Sequence, residues 1–339
     1  MRATRRHFVL GSLAAAALPL SATRAFAAGY PERPITFICP WPAGGTADVT
    51  MRALCLAASR ELGQPVVIDN RAGASGMIGL KALASARPDG DTIGQIPISV
   101  TRFSQLGTVA LDPLKDLSYI ARVSGQTFGI AVRAEAPWKT LKDLVADARA
   151  NPGRITYGSA GLGGATHVGM EEFALAAGAR FNAIPYKGGA EALQGLLGGH
   201  VDVLADSSSW APHVKSGKLR LLATWGEQRT AEFKDVPTLR ELGYDVVVDA
   251  PNGIGGPRDL PADVTARLRT AFRAAAASPE FTAACARIDA PLLYLDAPDY
   301  EKYVAASHAR EKTLIEKLGL RELIGKNCSP TPPTGPVPP

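Results

Sequence analysis

The sequence predicts an α/β fold in two lobes, each a mainly parallel sheet flanked by helices. Short apolar runs alternate with segments of helical period, and this alternation starts afresh near Thr127. The chain has 339 residues, of which about 310 follow the leader described below. That length exceeds what one hydrophobic core usually organises, so two lobes are expected.

The first series begins with a buried strand at Ile35–Cys39 and a helix over 47–62. A strand over 66–69, a helix over 76–86 and a strand at Thr92–Ile96 continue it. Strands that alternate with helices form βαβ units, in which the strands run parallel.

The second series repeats this pattern. Its predicted strands cover 128–132, 154–158, 181–185, 201–205 and 219–224, and its predicted helices cover 141–150, 165–177 and 190–198. A further strand over 245–249 is expected to lead back to the first lobe. Helices over 262–277, 279–287 and 298–318 follow, and we expect them to pack on the first lobe.

These elements place residues 28–126 and 248–328 in the first lobe and residues 127–247 in the second. Residues 329–339 have proline at five of their last eight positions, which predicts an extended, mobile tail. We therefore expect two crossings between the lobes and a C-terminal end without a core role.

The first 27 residues have the features of a cleaved export signal. Basic residues precede an apolar stretch over 8–20, and an A-x-A signal ends at Ala27. Arg5 and Arg6, with Phe8 after a gap, match the twin-arginine pattern. The alternative is the basic region of a general secretory signal, which leads to the same compartment. Either route predicts a periplasmic protein.

Cleavage near Ala27 removes four arginines and no acid, which leaves 33 basic and 32 acidic residues. A net charge of about +1 without a basic cluster argues against nucleic-acid binding. No later stretch is apolar for the roughly 20 residues that a membrane span needs. We therefore expect no stable membrane insertion.

Four cysteines fall in the mature part, namely Cys39, Cys55, Cys285 and Cys328. An oxidising compartment permits disulfides, and three connectivities are possible. Cys285 with Cys328 would staple the C-terminal tail; the alternative is that all four are buried or free thiols. The spacing of cysteines and histidines matches no metal site, so neither a metal nor a cofactor is expected.

The first candidate binding segment is the turn from Pro40 to Asp48, between a buried strand and a long helix. Gly44 and Gly45 let the backbone approach a ligand, and Thr46 can cap the helix. The free amides and positive dipole end of that helix favour an anion. The alternative is a tight turn that needs glycine only for its dihedral angles.

The second candidate is the turn from Tyr157 to His167, again between a strand and a helix. Ser159, Thr166 and backbone amides can converge there on a second anionic group. Ligands of open α/β sheets bind at the carboxyl ends of the strands, where both turns fall. Two such turns, one in each lobe, define a cleft.

Catalytic interpretations of the second turn fail at specific positions. Tyr157 occupies the place of the first glycine in a nucleophile elbow, and the third glycine of a dinucleotide fingerprint is misplaced. A hydrolase using Ser159 and His167 is the alternative to a binding protein. A histidine inside the following helix, however, more often packs or caps than acts as a base.

Two further stretches follow strands at the same edge. Tyr186 precedes a third Gly-Gly pair and can form a wall of the cleft, whereas Lys187 is expected in solvent. Asp206 ends another strand and can either line the cleft or cap a helix.

With these residues in view, the chain resembles the Bug-type periplasmic receptors of tripartite tricarboxylate transporters, the TctC-like family. The resemblance covers nearly the whole mature chain. It rests on Tyr30-Pro31, Pro34-Ile35, Pro40-Trp41-Pro42-Ala43-Gly44-Gly45 with Asp48, Leu62-Gly63-Gln64-Pro65-Val66-Val67 with Asn70-Arg71, Arg87-Pro88-Asp89-Gly90, Pro185-Tyr186-Lys187-Gly188-Gly189, and Asp235-Val236-Pro237-Thr238-Leu239 with Glu241 and Gly243.

The resemblance implies a periplasmic-binding-protein fold of type II-like form that closes on one small organic carboxylate and delivers it to membrane permease subunits. A monomer is expected, and a sensory receptor for a membrane kinase would use the same site. The implied ligand contacts are Trp41, Gly44, Gly45, Thr46, Ala47, Asp48, Ser159, Gly161, Gly163, Gly164, Ala165, Thr166, Tyr186 and Asp206. Asp48 is expected to order its loop rather than touch an anion, because like charges repel.

The chain departs from the family pattern at three places. Many relatives have a polar residue in place of Leu162, Ser or Thr in place of Gly164, and an aromatic pair in place of Pro251-Asn252. Fewer hydroxyl groups imply a greater reliance on backbone amides. Trp41, where Phe is commoner, can stack on an aromatic acid or pack under the loop.

Overall fold

The computed structural model describes residues 29–328, and the side chains up to residue 324. The predicted export signal over 1–27 and the predicted tail over 329–339 lie outside the described residues.

Two sheets organise the chain. The first contains β1 (Ile35–Cys39), β2 (Val66–Asn70), β3 (Thr92–Ile96), β4 (Leu117–Gly125), β10 (Pro251–Pro257) and β11 (Leu295–Asp296), in the order β11-β4-β10-β3-β1-β2. The second contains β5 (Phe128–Arg133), β6 (Thr156–Ser159), β7 (Asn182–Pro185), β8 (Val203–Ser207) and β9 (Leu219–Thr224), in the order β7-β6-β8-β5-β9.

Helices cover both faces of each sheet. Around the first sheet these are α1 (Thr46–Leu62), α2 (Met77–Ala84), α3 (Val100–Leu106), α8 (Ala262–Ala276), α9 (Pro279–Arg287) and α10 (Ala297–Leu318). Around the second they are α4 (Leu141–Ala150), α5 (Ala165–Ala176), α6 (Gly189–Leu197) and α7 (Ala211–Lys215). A last helix, α11 (Leu320–Cys328), brings Leu320 into a small apolar cluster with Ile315 and with Val168 of α5.

The prediction of two α/β lobes is confirmed, but the strand directions are mixed. The strands β1, β2 and β3 run parallel, as do β6, β7 and β8, whereas β10 lies antiparallel to β3 and β4, and β5 antiparallel to β8 and β9. The antiparallel strands β5 and β10 are those that follow the crossings between the sheets, so the chain enters each sheet from the opposite side. Four strands of each sheet still share one direction, with β10, the short β11 and β5 running against them, so the expectation of mainly parallel sheets is confirmed, while the domain boundaries stay a prediction.

The return to the first sheet differs from the sequence-based expectation. Residues 245–249 are irregular, and the strand lies instead at Pro251–Pro257. β10 is rich in glycine because its neighbours lie close: a Cβ on Gly253 would lie 1.7 Å from the Tyr300 hydroxyl, and one on Gly255 would lie 2.3 Å from Ile96 Cδ1. Its composition therefore reflects packing rather than strand propensity.

Cys39, Cys55 and Cys285 are buried, free thiols. The expected pairing of Cys285 with Cys328 thus has no support, and the Cys328 side chain lies outside the described part. Within residues 29–328, none of the helices combines the length and apolar character needed to cross a membrane. The same residues contain no cluster of side chains able to hold a metal ion.

Candidate functional site

The first glycine turn joins β1 to α1 and presents the uncapped backbone amides at the start of that helix. Gly45 is the N-cap residue and supplies no side-chain cap, so the first amides of α1 have no partner within the helix. The expectation that Thr46 caps the helix is wrong, because Thr46 is already the first helical residue. Its hydroxyl lies instead 2.7 Å from the Ser207 hydroxyl, across the cleft in the other lobe.

Asp48 holds this turn in place from its own lobe. Its carboxylate accepts hydrogen bonds from the Gly44 amide at 2.9 Å, from Arg52 at 2.9 Å and from the Asn70 side chain at 2.8 Å. Burial by itself would raise the pKa of Asp48, but the bonds from Arg52, Gly44 and Asn70 keep it below the ordinary value. The carboxylate is therefore ionised and fully engaged in ordering the loop.

The second glycine turn joins β6 to α5 and has the same design. Gly164 is the N-cap residue without a side-chain cap, so the first amides of α5 are also free of helical partners. Gly161 and Gly163 have positive φ angles of 103° and 72°, which favour glycine. Thr166 accepts a hydrogen bond from the Ala160 amide at 3.0 Å, which leaves its O–H free to donate.

Side chains of the first lobe hold this second turn across the cleft. The Ser75 hydroxyl donates to the Leu162 carbonyl oxygen at 2.8 Å, and Arg102 donates to the Gly163 carbonyl oxygen at 2.8 Å. A Cβ on Gly161 would lie 2.6 Å from the Ser75 hydroxyl oxygen. The lobes are thus closed on each other, and Gly161 permits the approach.

Between the two turns lies a cavity of about 60 Å³. The predicted residues that line it are Trp41, Gly45, Thr46, Ala47, Gly164, Ala165, Thr166 and Asp206. Residues of α1 and α5 therefore meet at one small space, as the paired turns predict. Gly189, the first residue of α6, adds a third helix N-terminus to the wall.

The other predicted residues lie behind this wall. Gly44, Asp48, Ser159, Gly161, Gly163 and Tyr186 are absent from the lining. Gly44 and Asp48 order the first turn, while Gly161 and Gly163 shape the second. Tyr186 packs within its own lobe, where a Cβ on Gly195 would lie 2.2 Å from the Tyr186 hydroxyl oxygen.

Sequence patterns missed part of the lining, namely Pro42, Gln95, Pro97, Ile98, Ser99, Gln126, Phe128, Ala160, Gly189, Ser207, Ala250 and Pro251. Gln95 and Gln126 are positioned by one buried residue, since both donate to the Asn252 side-chain oxygen, at 2.9 and 3.2 Å. In the sequence, the unusual pair Pro251-Asn252 is the feature that points to this part of the lining. Pro251 lines the cavity, and Asn252 positions the two glutamines.

The lining combines apolar side chains with a few polar groups and holds no cation among the described residues, and its only ionisable member is Asp206. Two polar atoms of lining residues, the Trp41 indole nitrogen and the Gln95 side-chain oxygen, are buried without a hydrogen-bond partner in the described part. Buried polar groups are normally paired. Both atoms, together with the helix amides, thus offer bonding capacity to a bound molecule.

Ser159 and His167 do not form a catalytic pair. The buried Ser159 hydroxyl has no hydrogen-bond partner among the described residues, and His167 Nδ1 accepts from the Gly163 amide at 3.2 Å. Burial, with a contribution from Arg102, lowers the pKa of His167 to about 4. His167 therefore supports the turn as a neutral side chain.

A much larger groove of about 1300 Å³ runs between the lobes beside this cavity. Its walls include charged side chains of both signs, among them Glu227, Arg229, Arg310 and Lys317. The converging helix N-termini lie in the smaller cavity, which is consequently the better candidate for an anion site.

Two α/β lobes closed over a small cavity at two helix N-termini define a solute-binding protein of the two-lobed periplasmic class. Residues 50–320 match the family model described as "Tripartite tricarboxylate transporter family receptor". The chain belongs to this family, which confirms the resemblance found in the sequence.

Individual relatives agree with this assignment. The chain is 42% identical over 321 residues to the "UPF0065 protein in gbd 5'region" of Cupriavidus necator, covering 93% of this chain and 98% of that one. It is similar to the solved structure of the periplasmic binding protein BugD, with a TM-score of 0.81 and 29% identity. The similarity covers 86% of this chain and 99% of BugD. It is also similar to the structure of an R. palustris protein with adipate, with a TM-score of 0.81 and 28% identity. That similarity covers 86% of this chain and 98% of the other. The family and these neighbours are solute-binding proteins, which confirms the expectation of a receptor rather than an enzyme.

Proposed function

We propose that this protein captures a small organic dicarboxylate in the periplasm, between its two lobes, and delivers it to the membrane permease subunits of a tripartite tricarboxylate-type transporter. The observation that carries the proposal is the meeting of the α1 and α5 N-termini at one cavity. Membership of the receptor family supports the transport role.

The ligand class follows from the donors available. Each helix end offers uncapped amides and the positive end of a helix dipole, which bind carboxylate and phosphate groups. One such end stands on each side of the cavity, so a molecule with a carboxylate at each end engages both. The adipate in the similar R. palustris structure is a molecule of this kind.

The cavity also limits the size of the ligand. About 60 Å³ accommodates only a few water-sized groups, since one water needs roughly 10–15 Å³ on this measure. A slender aliphatic dicarboxylate suits this space better than a ring. Trp41 nevertheless offers an apolar face on the wall, so an aromatic dicarboxylate belongs in the same test.

Export completes the proposal. The leader with Arg5 and Arg6, cleaved near Ala27, would carry the folded protein to the periplasm by the twin-arginine route. There the monomer would bind its ligand, close and meet the permease. A ligand that contacts both lobes stabilises the closed state further.

A thermal-shift assay on the purified mature protein tests this function. Adipate, succinate and phthalate are compared with adipamide and succinamide, which keep the length but lack the charge. We expect the aliphatic dicarboxylates to raise the Tm by several degrees at millimolar concentration, phthalate to raise it less, and the amides to leave it unchanged. Equal shifts with acids and amides, or no shift with any acid, would contradict the proposal.

A further inference from the structure

Asp206 is a carboxyl group on the wall of a cavity that we propose binds carboxylates. It is the last residue but one of β8, its residue is 1% exposed, and it lines the cavity beside Ser207 and Gly189. A Cβ on Gly189 would lie only 2.1 Å from Asp206 Oδ2. The carboxyl group is therefore packed against the first residue of α6, and the glycine makes room for it.

The partners of Asp206 are neutral. The Ser209 hydroxyl donates to Oδ2 at 2.8 Å, and Ser207 supplies further hydrogen bonds. The described residues provide it with no ion pair. Asp48 makes the contrast clear, because that carboxylate is 2% exposed on the other side of the cavity and has the Arg52 guanidinium at 2.9 Å.

The charged groups nearest in the fold do not compensate Asp206. On α6, Glu191 is exposed and accepts from the Lys187 amide. On α1, Asp48 is neutralised by Arg52. The residue paired with Asp206 on the neighbouring strand β5, Gly129, is uncharged. Burial accordingly dominates and raises the pKa of Asp206 to about 7.

A ligand carboxylate in the same cavity adds a like charge. Two carboxylates sharing a desolvated site cannot both be ionised without a large cost, so one of them keeps a proton. The ligand's carboxylate has helix amides to stabilise its charge, whereas Asp206 has only its serine partners. The proton therefore belongs on Asp206.

We propose that Asp206 determines specificity as a neutral carboxylic acid that donates its O–H to a carboxylate oxygen of the bound dicarboxylate. This inference rests on the proposed function and deepens it: the receptor takes up a proton with its anionic ligand. It also explains how a cavity without a cationic side chain among its described residues, and with an acidic one, selects an acid.

The proposal makes binding depend on pH in a defined direction. Asp206 in the free protein is protonated below about pH 7 and ionised above it, and only the protonated form binds. Over the pH range in which adipate is ionised, affinity is then nearly constant below about pH 7 and falls as the pH rises through this value. From pH 6.0 to 8.5, Kd should rise about 30-fold, while the carboxyl groups of adipate, with a pKa near 5, stay largely ionised.

Isothermal titration calorimetry with adipate tests this on three proteins: wild type, Asp206→Asn and Glu191→Gln. Asn keeps the shape and always carries a donor, so we expect Kd within tenfold of wild type at pH 6.0 and nearly constant up to pH 8.5. Glu191→Gln removes an exposed carboxylate from the first turn of α6, the helix whose first residue packs against Asp206, and should keep the full 30-fold rise. Titrations of wild type at pH 8.5 in buffers of different ionisation enthalpy should show uptake of close to one proton for each adipate bound.

Three outcomes would overturn the proposal. The first is a wild-type Kd that does not change with pH and is accompanied by no proton uptake. The second is the same pH dependence in Asp206→Asn as in wild type. The third is tighter binding of glutamate than of adipate at pH 8.5, which would make Asp206 an ionised partner for an ammonium group. If adipate binds as the thermal-shift assay predicts but its affinity does not depend on pH, only the role of Asp206 is contradicted. If no dicarboxylate binds at any pH, the proposed function is contradicted as well.

Discussion

The two glycine turns look alike in sequence but are held in different ways. The first turn is held by its own lobe, through Asp48 and the bonds it accepts from Gly44, Arg52 and Asn70. The second turn is supported by Thr166 and His167 of its own lobe and is held in addition by the opposite lobe, through Ser75 and Arg102. The first is consequently preorganised whether the lobes are open or closed, and the second gains part of its support only on closure.

This difference assigns the turns different parts in binding. A preorganised turn contributes to affinity without an ordering cost, whereas a turn ordered by closure couples ligand capture to the approach of the lobes. Arg102 is well suited to the second task. It is buried and paired with Glu311 at 2.8 Å within its own lobe, and still donates to Gly163 across the cleft.

The largest expected effect comes from blocking closure at the second turn. In Gly161→Leu, the new side chain would meet Ser75, because a Cβ alone lies 2.6 Å from its hydroxyl oxygen. We expect the affinity for adipate to fall at least about 100-fold, measured by calorimetry, while circular dichroism shows a folded protein.

Gly153→Leu is the matched control for Gly161→Leu. Gly153 also has a positive φ, 77°, but a Cβ there would meet nothing within 4 Å. This variant should lose about 1 kcal/mol of stability through backbone strain and keep its affinity. Equal losses of affinity in the two variants would show that strain, rather than the contact between lobes, is responsible.

The next largest effect concerns the first turn and should appear without ligand. Asp48→Ala removes the acceptor of three hydrogen bonds around a carboxylate that is 2% exposed. We expect the free energy of unfolding in urea to fall by about 2 kcal/mol. Asp69→Ala, at a more exposed ion pair with Arg71, should change it by less than about 0.5 kcal/mol. A loss confined to the ligand-bound protein would contradict preorganisation.

The smallest effect should appear only in binding. Ser75→Ala removes one hydrogen bond between the lobes and leaves the chain otherwise intact. We expect about fivefold weaker binding of adipate, equivalent to about 1 kcal/mol, with an unchanged free energy of unfolding for the free protein. Ser85→Ala, at the end of α2, is the control and should leave both quantities unchanged. A stability loss in free Ser75→Ala would mean that the lobes are closed without ligand.

Much of the fold followed from local patterns, and the departures have physical causes. The βα units up to β3 and from β5 to β9 show clear apolar runs separated by helical periods, so their order was predictable. The sequence pattern predicts the return strand too early, because a strand containing Gly253, Gly255 and Gly256 has the composition of a loop. Only the packing of Tyr300 and Ile96 against it explains why these residues form a central strand.

The site was predictable where it depends on backbone and not where it depends on distant partners. Glycine-capped helix starts are visible in the sequence, and both turns line the cavity. Asn252 positions Gln95 and Gln126 by accepting a hydrogen bond from each. It lies 157 and 126 residues from them in the sequence, so no local pattern reveals these contacts. Likewise, the hydrogen bonds that Ser75 and Arg102 donate to the other lobe depend on closure.

Hydrogen–deuterium exchange with and without adipate tests most directly whether both turns hold one ligand. We expect adipate to slow exchange in residues 44–50 and in residues 160–168 together, because the ligand engages the first amides of α1 and α5 at once. Gly161→Leu should show neither change. Protection of one segment alone in the wild-type protein would contradict a clamp formed by both lobes.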